Sequence, residues 1–78
     1  MPRKADLVVL GRALRELRTA HQMDSAQLAS RAGLERSLIE DVERGESDLS
    51  FIDLLRIAAA LGEPAYELVF LFEERKRR

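Results

Sequence analysis

Arg36 and Ser37 lie side by side, with Asp41 and Arg44 following at helical spacing, and these side chains offer hydrogen-bond donors and acceptors. An arginine guanidinium carries its donors in a planar fork, and two of them can grip a pair of acceptors together, such as guanine O6 and N7 or phosphate oxygens. A carboxylate such as Asp41 only accepts, and it matches an amino donor such as cytosine N4. The chemistry on offer is therefore recognition by hydrogen bonds rather than bond making. The chain contains no cysteine, which excludes disulfides, thiolate catalysis and cysteine metal sites together. The single histidine, His21, cannot build a zinc site alone. Nucleophile–base spacings, phosphate loops and metal clusters do not occur either, so no enzyme, cofactor or metal is expected.

These residues need a scaffold, and 78 residues allow one domain spanning 1–78. A chain of this size buries roughly 60–65% of its unfolded surface. A hydrophobic content of 46% suits a globular protein. No apolar run is long enough to span a bilayer, and no secretory signal opens the chain, so a cytoplasmic protein without a membrane partner is expected. Leu7, Leu10, Leu14 and Leu17 recur at helical spacing and predict a first helix over about Ala5–His21. Asp24 opens a second helix, with Gln27 in capping-box position, and Leu28 and Ala32 form its apolar stripe. A third helix runs from about Arg36 to Arg44, with Ile39 and Val42 inward and Gly45 as its stop. Ser50 caps a fourth, whose expected core face is Phe51, Leu54, Leu55, Ala58 and Leu61, ending at Gly62. Pro64 suits the first turn of a fifth, reaching about Arg75. Alternation of period two is nowhere sustained. The expected fold is a compact all-α domain of five helices.

Residues 24–45 read as a helix-turn-helix unit. Two short helices can pack steeply only if the crossing point is small and the turn permits a positive φ. Ala29 supplies the first condition and Gly33 the second. Leu28, Ala32, Leu34, Ile39 and Val42 fill the wedge.

With these residues in place, the chain resembles the Cro/phage-repressor type helix-turn-helix regulators, which include the small controller proteins of restriction–modification systems. The resemblance covers about Leu10 to Leu68. It rests on Leu10-Gly11 with Leu14-Arg15-Glu16-Leu17-Arg18, then Gln27-Leu28-Ala29, Ala32-Gly33-Leu34 and Ile39, with Val42-Glu43-Arg44-Gly45 and the stretch Leu55 to Gly62 completing it. It implies a five-helix domain, a dimer on a pseudo-palindromic operator in double-stranded DNA, and transcriptional control without catalysis. It further implies an internal salt bridge between Arg18 and Glu43. Arg36 and Ser37 then occupy the first exposed turn of the third helix, where the family reads base edges in the major groove, and Asp41 falls at another reading position. Ser25 stands where the family commonly has a phosphate-binding glutamine. Gln27, Glu35 and Arg44 complete the expected contact set, with Arg44 either on phosphate or over the helix end. For Arg36, base readout, phosphate contact and simple solvation remain the alternatives, and for Asp41 a cytosine contact or solvation.

The charge distribution works against this job. Residues 1–23 carry Arg3, Lys4, Arg12, Arg15 and Arg18 against Asp6 and Glu16, a balance of +3. Residues 24–53 carry eight acids against Arg31, Arg36 and Arg44, a balance of −5, with Glu40, Glu46 and Asp48 among the acids. Carboxylates near phosphates oppose the electrostatic attraction behind most non-specific DNA affinity. The basic N-terminal residues could serve as an arm on DNA or be a frayed, solvated end; the run Arg75–Arg78 reads as a solvated tail. His21 falls near the carboxyl end of the first helix, where the dipole favours its cation.

In the fifth helix Leu68 to Phe72 are consecutively apolar. Ala65, Leu68, Val69 and Phe72 would dock on the domain, which leaves Tyr66, Phe70 and Leu71 for a two-fold interface between copies. Two functions are thus expected from the sequence. One is a homodimeric, sequence-specific DNA-binding transcription regulator on an inverted repeat. The other is a helix-turn-helix protein-interaction module, antitoxin-like, using its acidic face on a basic partner with weak or no intrinsic DNA binding.

Overall fold

A computed structural model describes residues 2–77. Five helices follow one another: α1 Lys4–Ala20, α2 Ser25–Ala32, α3 Arg36–Glu43, α4 Phe51–Leu61 and α5 Ala65–Lys76. There is no strand among the described residues. The all-α, five-helix expectation holds.

Local chemistry explains the boundaries of α2 and α4. Asp24 Oδ1 accepts from the Gln27 amide at 2.8 Å, and Gln27 Oε1 accepts from the Asp24 amide at 2.9 Å, a complete capping box that starts α2. Gly33 ends α2 at φ +69°, and open space surrounds its missing Cβ, so the glycine is needed there for the backbone angle alone. Ser50 Oγ accepts from the Asp53 amide at 3.1 Å and opens α4. Pro64 lies just outside α5, as its extended N-cap residue rather than in its first turn.

α1 packs on α3 and α5, α2 on α3 and α4, and α4 on α5. Leu14, Leu28, Ile39, Val42, Ile57 and Leu68 meet in the centre, with Ala13, Ala29 and Ala32 allowing close helix approach. α4 departs from its expected orientation. Its inner stripe is Leu54, Ile57, Ala58 and Leu61, while Phe51 is 72% exposed and Leu55 faces out beside Ile52. Both stripes have the i, i+3, i+4, i+7 spacing of a helical face, and a helix apolar nearly all round satisfies either. α5 is turned in the same way. Leu68, Leu71 and Phe72 face the core and Val69 is exposed, so Leu71 is half-buried rather than free for a partner. The same stripe continues to Arg75, whose Nε donates to Glu16 Oε2 of α1 at 2.8 Å. Next to it, Lys76 Nζ lies 3.3 Å from Asp6 Oδ1 of α1. These pairs replace the solvated tail expected at Arg75 and Lys76; Arg78 lies outside the described residues.

Candidate nucleic-acid interface

α3 is eight residues long, too short to hold its own conformation or direction in water, so its neighbours must aim it. Ile39 and Val42 are fully buried beneath it. Its carboxyl end runs against α1 at Gly11, where a Cβ would lie 2.4 Å from the Val42 carbonyl oxygen and 2.8 Å from that of Glu43. Only a residue without a side chain permits this approach. Lys4 Nζ donates to the Gly45 carbonyl at 2.5 Å, placing a cation where the α3 dipole is negative. Lys4 is thus tied to the end of α3 rather than held on a free arm.

Arg18 and Glu43 clamp the same junction. Arg18 Nε donates to Glu43 Oε2 at 2.7 Å and Nη2 to Oε1 at 2.8 Å, while Nη1 donates to the Met23 carbonyl at 2.8 Å. The side chains are 12% and 4% exposed. The hydrogen bonds that Arg18 donates to the Glu43 carboxylate hold its guanidinium above the ordinary pKa, outweighing the opposing effect of burial. Arg15 Nε adds an outer contact to Glu43 Oε1 at 3.4 Å. Among the described residues no buried side-chain nitrogen or oxygen lacks a partner.

The outward side of α3 and its flanks then carries the expected recognition residues. Arg36 and Ser37 are exposed in its first turn. Arg36 Nε donates to Glu40 Oε2 at 3.2 Å, one helical turn on. Asp41 is held by Arg44 Nη2, and Arg44 Nε also donates to Glu46 Oε1 at 2.9 Å. That hydrogen bond to Glu46 is the main reason the Arg44 guanidinium sits above its ordinary pKa. Glu35 is the exposed N-cap residue of α3 and makes no side-chain cap. Ser25 is half-buried at the first position of α2. The Gln27 oxygen is taken by the capping box.

The arrangement thus brings Arg36, Ser37, Asp41 and Arg44 onto one short helix and its end, with Ser25 and Gln27 on the preceding helix. Two contributions were not read from the sequence. Glu40 was visible only as one more acid, although its i, i+4 spacing from Arg36 is the signal that finds the pair. The Lys4–Gly45 contact spans 41 positions and has no local signal. His21 Nε2 lies 2.8 Å from Glu63 Oε2, tying the end of α1 to the α4–α5 turn. Among the described residues no group of His, Cys, Asp or Glu could hold a metal ion, and no helix is long and apolar enough to cross a membrane.

Comparison with known proteins agrees with this geometry. Residues 9–69 match the helix-turn-helix domain family. A hypothetical transcription factor of Neisseria meningitidis serogroup B is 33% identical over 76 residues, covering 96% of this chain and 72% of that protein. The crystal structure of the restriction–modification controller protein C.AhdI from Aeromonas hydrophila superposes with a TM-score of 0.79 at 45% identity, over 82% of this chain and 97% of that one. A second controller protein, C.Esp1396I, superposes with a TM-score of 0.84 over 94% of this chain and 96% of that one; at 19% identity it speaks for the fold alone. The matched segment runs from the middle of α1 into α5 and includes every residue of α2, the turn and α3, so the chain belongs to the helix-turn-helix domain family.

Proposed function

We propose that the protein is a transcription regulator that binds operator DNA sequence-specifically, as a homodimer on an inverted repeat. The observation that carries this reading is the clamped α3: a short helix held by Gly11, Lys4 and Arg18, with Arg36 and Ser37 outward at its first turn. The relatives named as a transcription factor and a restriction–modification controller support it. In the major groove, Arg36 would grip a guanine edge with Ser37 beside it, while the start of α2, through Ser25 and the free amino group of Gln27, would meet phosphate. Glu35, Asp41 and Arg44 border that contact. On this reading the helix-turn-helix domain acts by recognition rather than catalysis, and it works in the cytoplasm.

The dimer is supported by apolar surface. Tyr66, Val69 and Phe70 of α5 and Phe51 and Ile52 of α4 are all largely exposed. A mainly apolar groove lined by Leu10, Leu49, Leu54, Val69 and Phe72, with Asp48 among its walls, adjoins the α5 set at Val69. A surface of this kind on a small domain marks an interface. The domain is 29 Å in its longest dimension, which is compatible with two copies side by side on half-sites one ~34 Å turn apart. Phe70→Glu is expected to yield a folded monomer, read as a halved mass in light scattering, and to weaken operator binding by about tenfold or more. An undiminished mass refutes this interface.

Selection from a random duplex pool tests the main reading. Enrichment of an inverted repeat is expected, with affinity falling steeply as salt rises. Arg36→Ala is expected to lose ~1–3 kcal/mol of discrimination at one base position in each half-site. Unchanged preference in that variant refutes the role of Arg36. The internal pairing of Arg44 with Asp41 and Glu46 favours the second reading, an interaction module for a basic partner. Failure to enrich any sequence at low salt would select it.

A further inference from the structure

We propose that Glu40 is a positioning residue for Arg36: it holds the guanidinium so that its terminal nitrogens face outward as a fork, and thereby sets base preference at that position. The inference rests on the DNA-reading role of α3. The three acids of α3 divide by the arginine each one holds. Glu43 takes Arg18 in the interior, Asp41 takes Arg44 at the carboxyl end, and Glu40 takes Arg36 at the reading turn. Each of the other two is committed to an arginine outside the first turn, so Glu40 is the one placed to act on base contact.

The geometry of the contact gives the role. It is Nε of Arg36 that donates to Glu40, at 3.2 Å. A guanidinium has one N–H on Nε and four on its two terminal nitrogens. Engaging Nε leaves the end edge of the fork open, and that edge matches the two acceptors of guanine. A tether biases the rotamers of Arg36 toward one arrangement, so that somewhat less freedom is lost on docking than for an arginine with no partner. The side chains are 63% and 40% exposed, so the tether is weak in water and strengthens as DNA excludes solvent from it.

The carboxylate has a second effect. Paired with Glu40, Arg36 presents a neutral unit to the phosphate backbone and adds little to non-specific attraction. A mismatched edge with a donor in place of an acceptor gains nothing from the fork. Glu40 therefore trades general affinity for discrimination, which gives the acidic recognition helix a purpose compatible with DNA binding.

The test measures dissociation constants by fluorescence anisotropy at fixed salt, on the selected operator, on the operator substituted at the guanine read by Arg36, and on an unrelated duplex. Glu40→Ala is expected to reduce the preference for the matched over the substituted duplex by about tenfold, and to raise affinity for the unrelated duplex by about threefold. Glu40→Gln retains an oxygen that accepts from Nε without the charge. It is expected to restore the matched preference to within about threefold of the parent while keeping the raised non-specific affinity. In an Arg36→Ala background, Glu40→Ala should no longer alter base preference. Full discrimination in Glu40→Ala, or an equal loss with and without Arg36, overturns the proposal. Loss of preference in Arg36→Ala by itself establishes the reading of α3, so a failure confined to the Glu40 variants counts against this inference alone. If Arg36→Ala keeps its preference, both fall.

Discussion

Gly11→Ala is expected to lower unfolding stability by about 2 kcal/mol, measured by urea denaturation followed by circular dichroism. The sign is not the usual one. In an ordinary helix interior, alanine in place of glycine adds up to about 1 kcal/mol of stability, because the unfolded chain has less freedom to lose. At Gly11 the new Cβ would sit 2.4 Å from one backbone carbonyl oxygen and 2.8 Å from the next, both at the carboxyl end of α3. These are main-chain atoms of a packed helix and cannot rotate away, so α1 and α3 must separate. Separation opens contacts over Leu14, Ile39 and Val42, and a close-packed interior has no slack to absorb it. A domain of this size is stable by only about 4–12 kcal/mol, so the loss is a large share of the total. A midpoint equal to or above that of the parent would show that the helices do not approach so closely.

The second large effect is expected at Glu43. Glu43→Ala should cost about 3 kcal/mol, because it leaves the Arg18 guanidinium in a nearly enclosed place without its counter-charge. Glu43 also sits at the junction of α1 and α3, so the loss weakens the same clamp that Gly11 permits. Glu43→Gln keeps one acceptor for Arg18 and should be destabilised less than Glu43→Ala. Thermal unfolding of the two variants, with Arg15→Ala as a control for the outer 3.4 Å contact, separates the inner pair from the exposed one. Arg15→Ala should change stability by less than about 1 kcal/mol. A similarly small loss in Glu43→Ala would mean that the inner pair behaves as a surface ion pair. If the protein binds DNA as proposed, Gly11→Ala and Glu43→Ala are also expected to lose affinity for it, since they disturb the direction of α3 while leaving its outer residues intact.

Much of this scaffold is legible in the sequence because its signals are local. Asp24 with Gln27, Ser50 with Asp53, and the glycines at 33 and 62 mark helix ends through contacts within a few residues. The pairing of α2 with α3 follows from Ala29 and Gly33, and the inward residues Leu28, Ile39 and Val42 are buried as their spacing requires. Less legible were the faces of α4 and α5. In α4, residues 51 to 61 include only Asp53 and Arg56 as polar side chains, so the stripe from Phe51 and the stripe from Leu54 are equally good helices. In α5, Leu68 to Phe72 leave no polar break to indicate which side docks. For the recognition surface, the residue types were visible, but their mutual pairing was not. Arg36 has Glu35 beside it in sequence and pairs with Glu40 instead.

The sequence by itself therefore determined five helices, the caps of α2 and α4, and a helix-turn-helix with Arg36 and Ser37 in its exposed turn. Those features depend on hydrogen bonds and steric limits between near neighbours, which the order of residues specifies directly. Only the tertiary structure decided which stripe of α4 and α5 faces inward, how closely α1 meets α3 at Gly11, and which arginine each acid holds. Those choices depend on contacts between distant residues, where several local solutions have similar energy and the packing of the whole domain selects one.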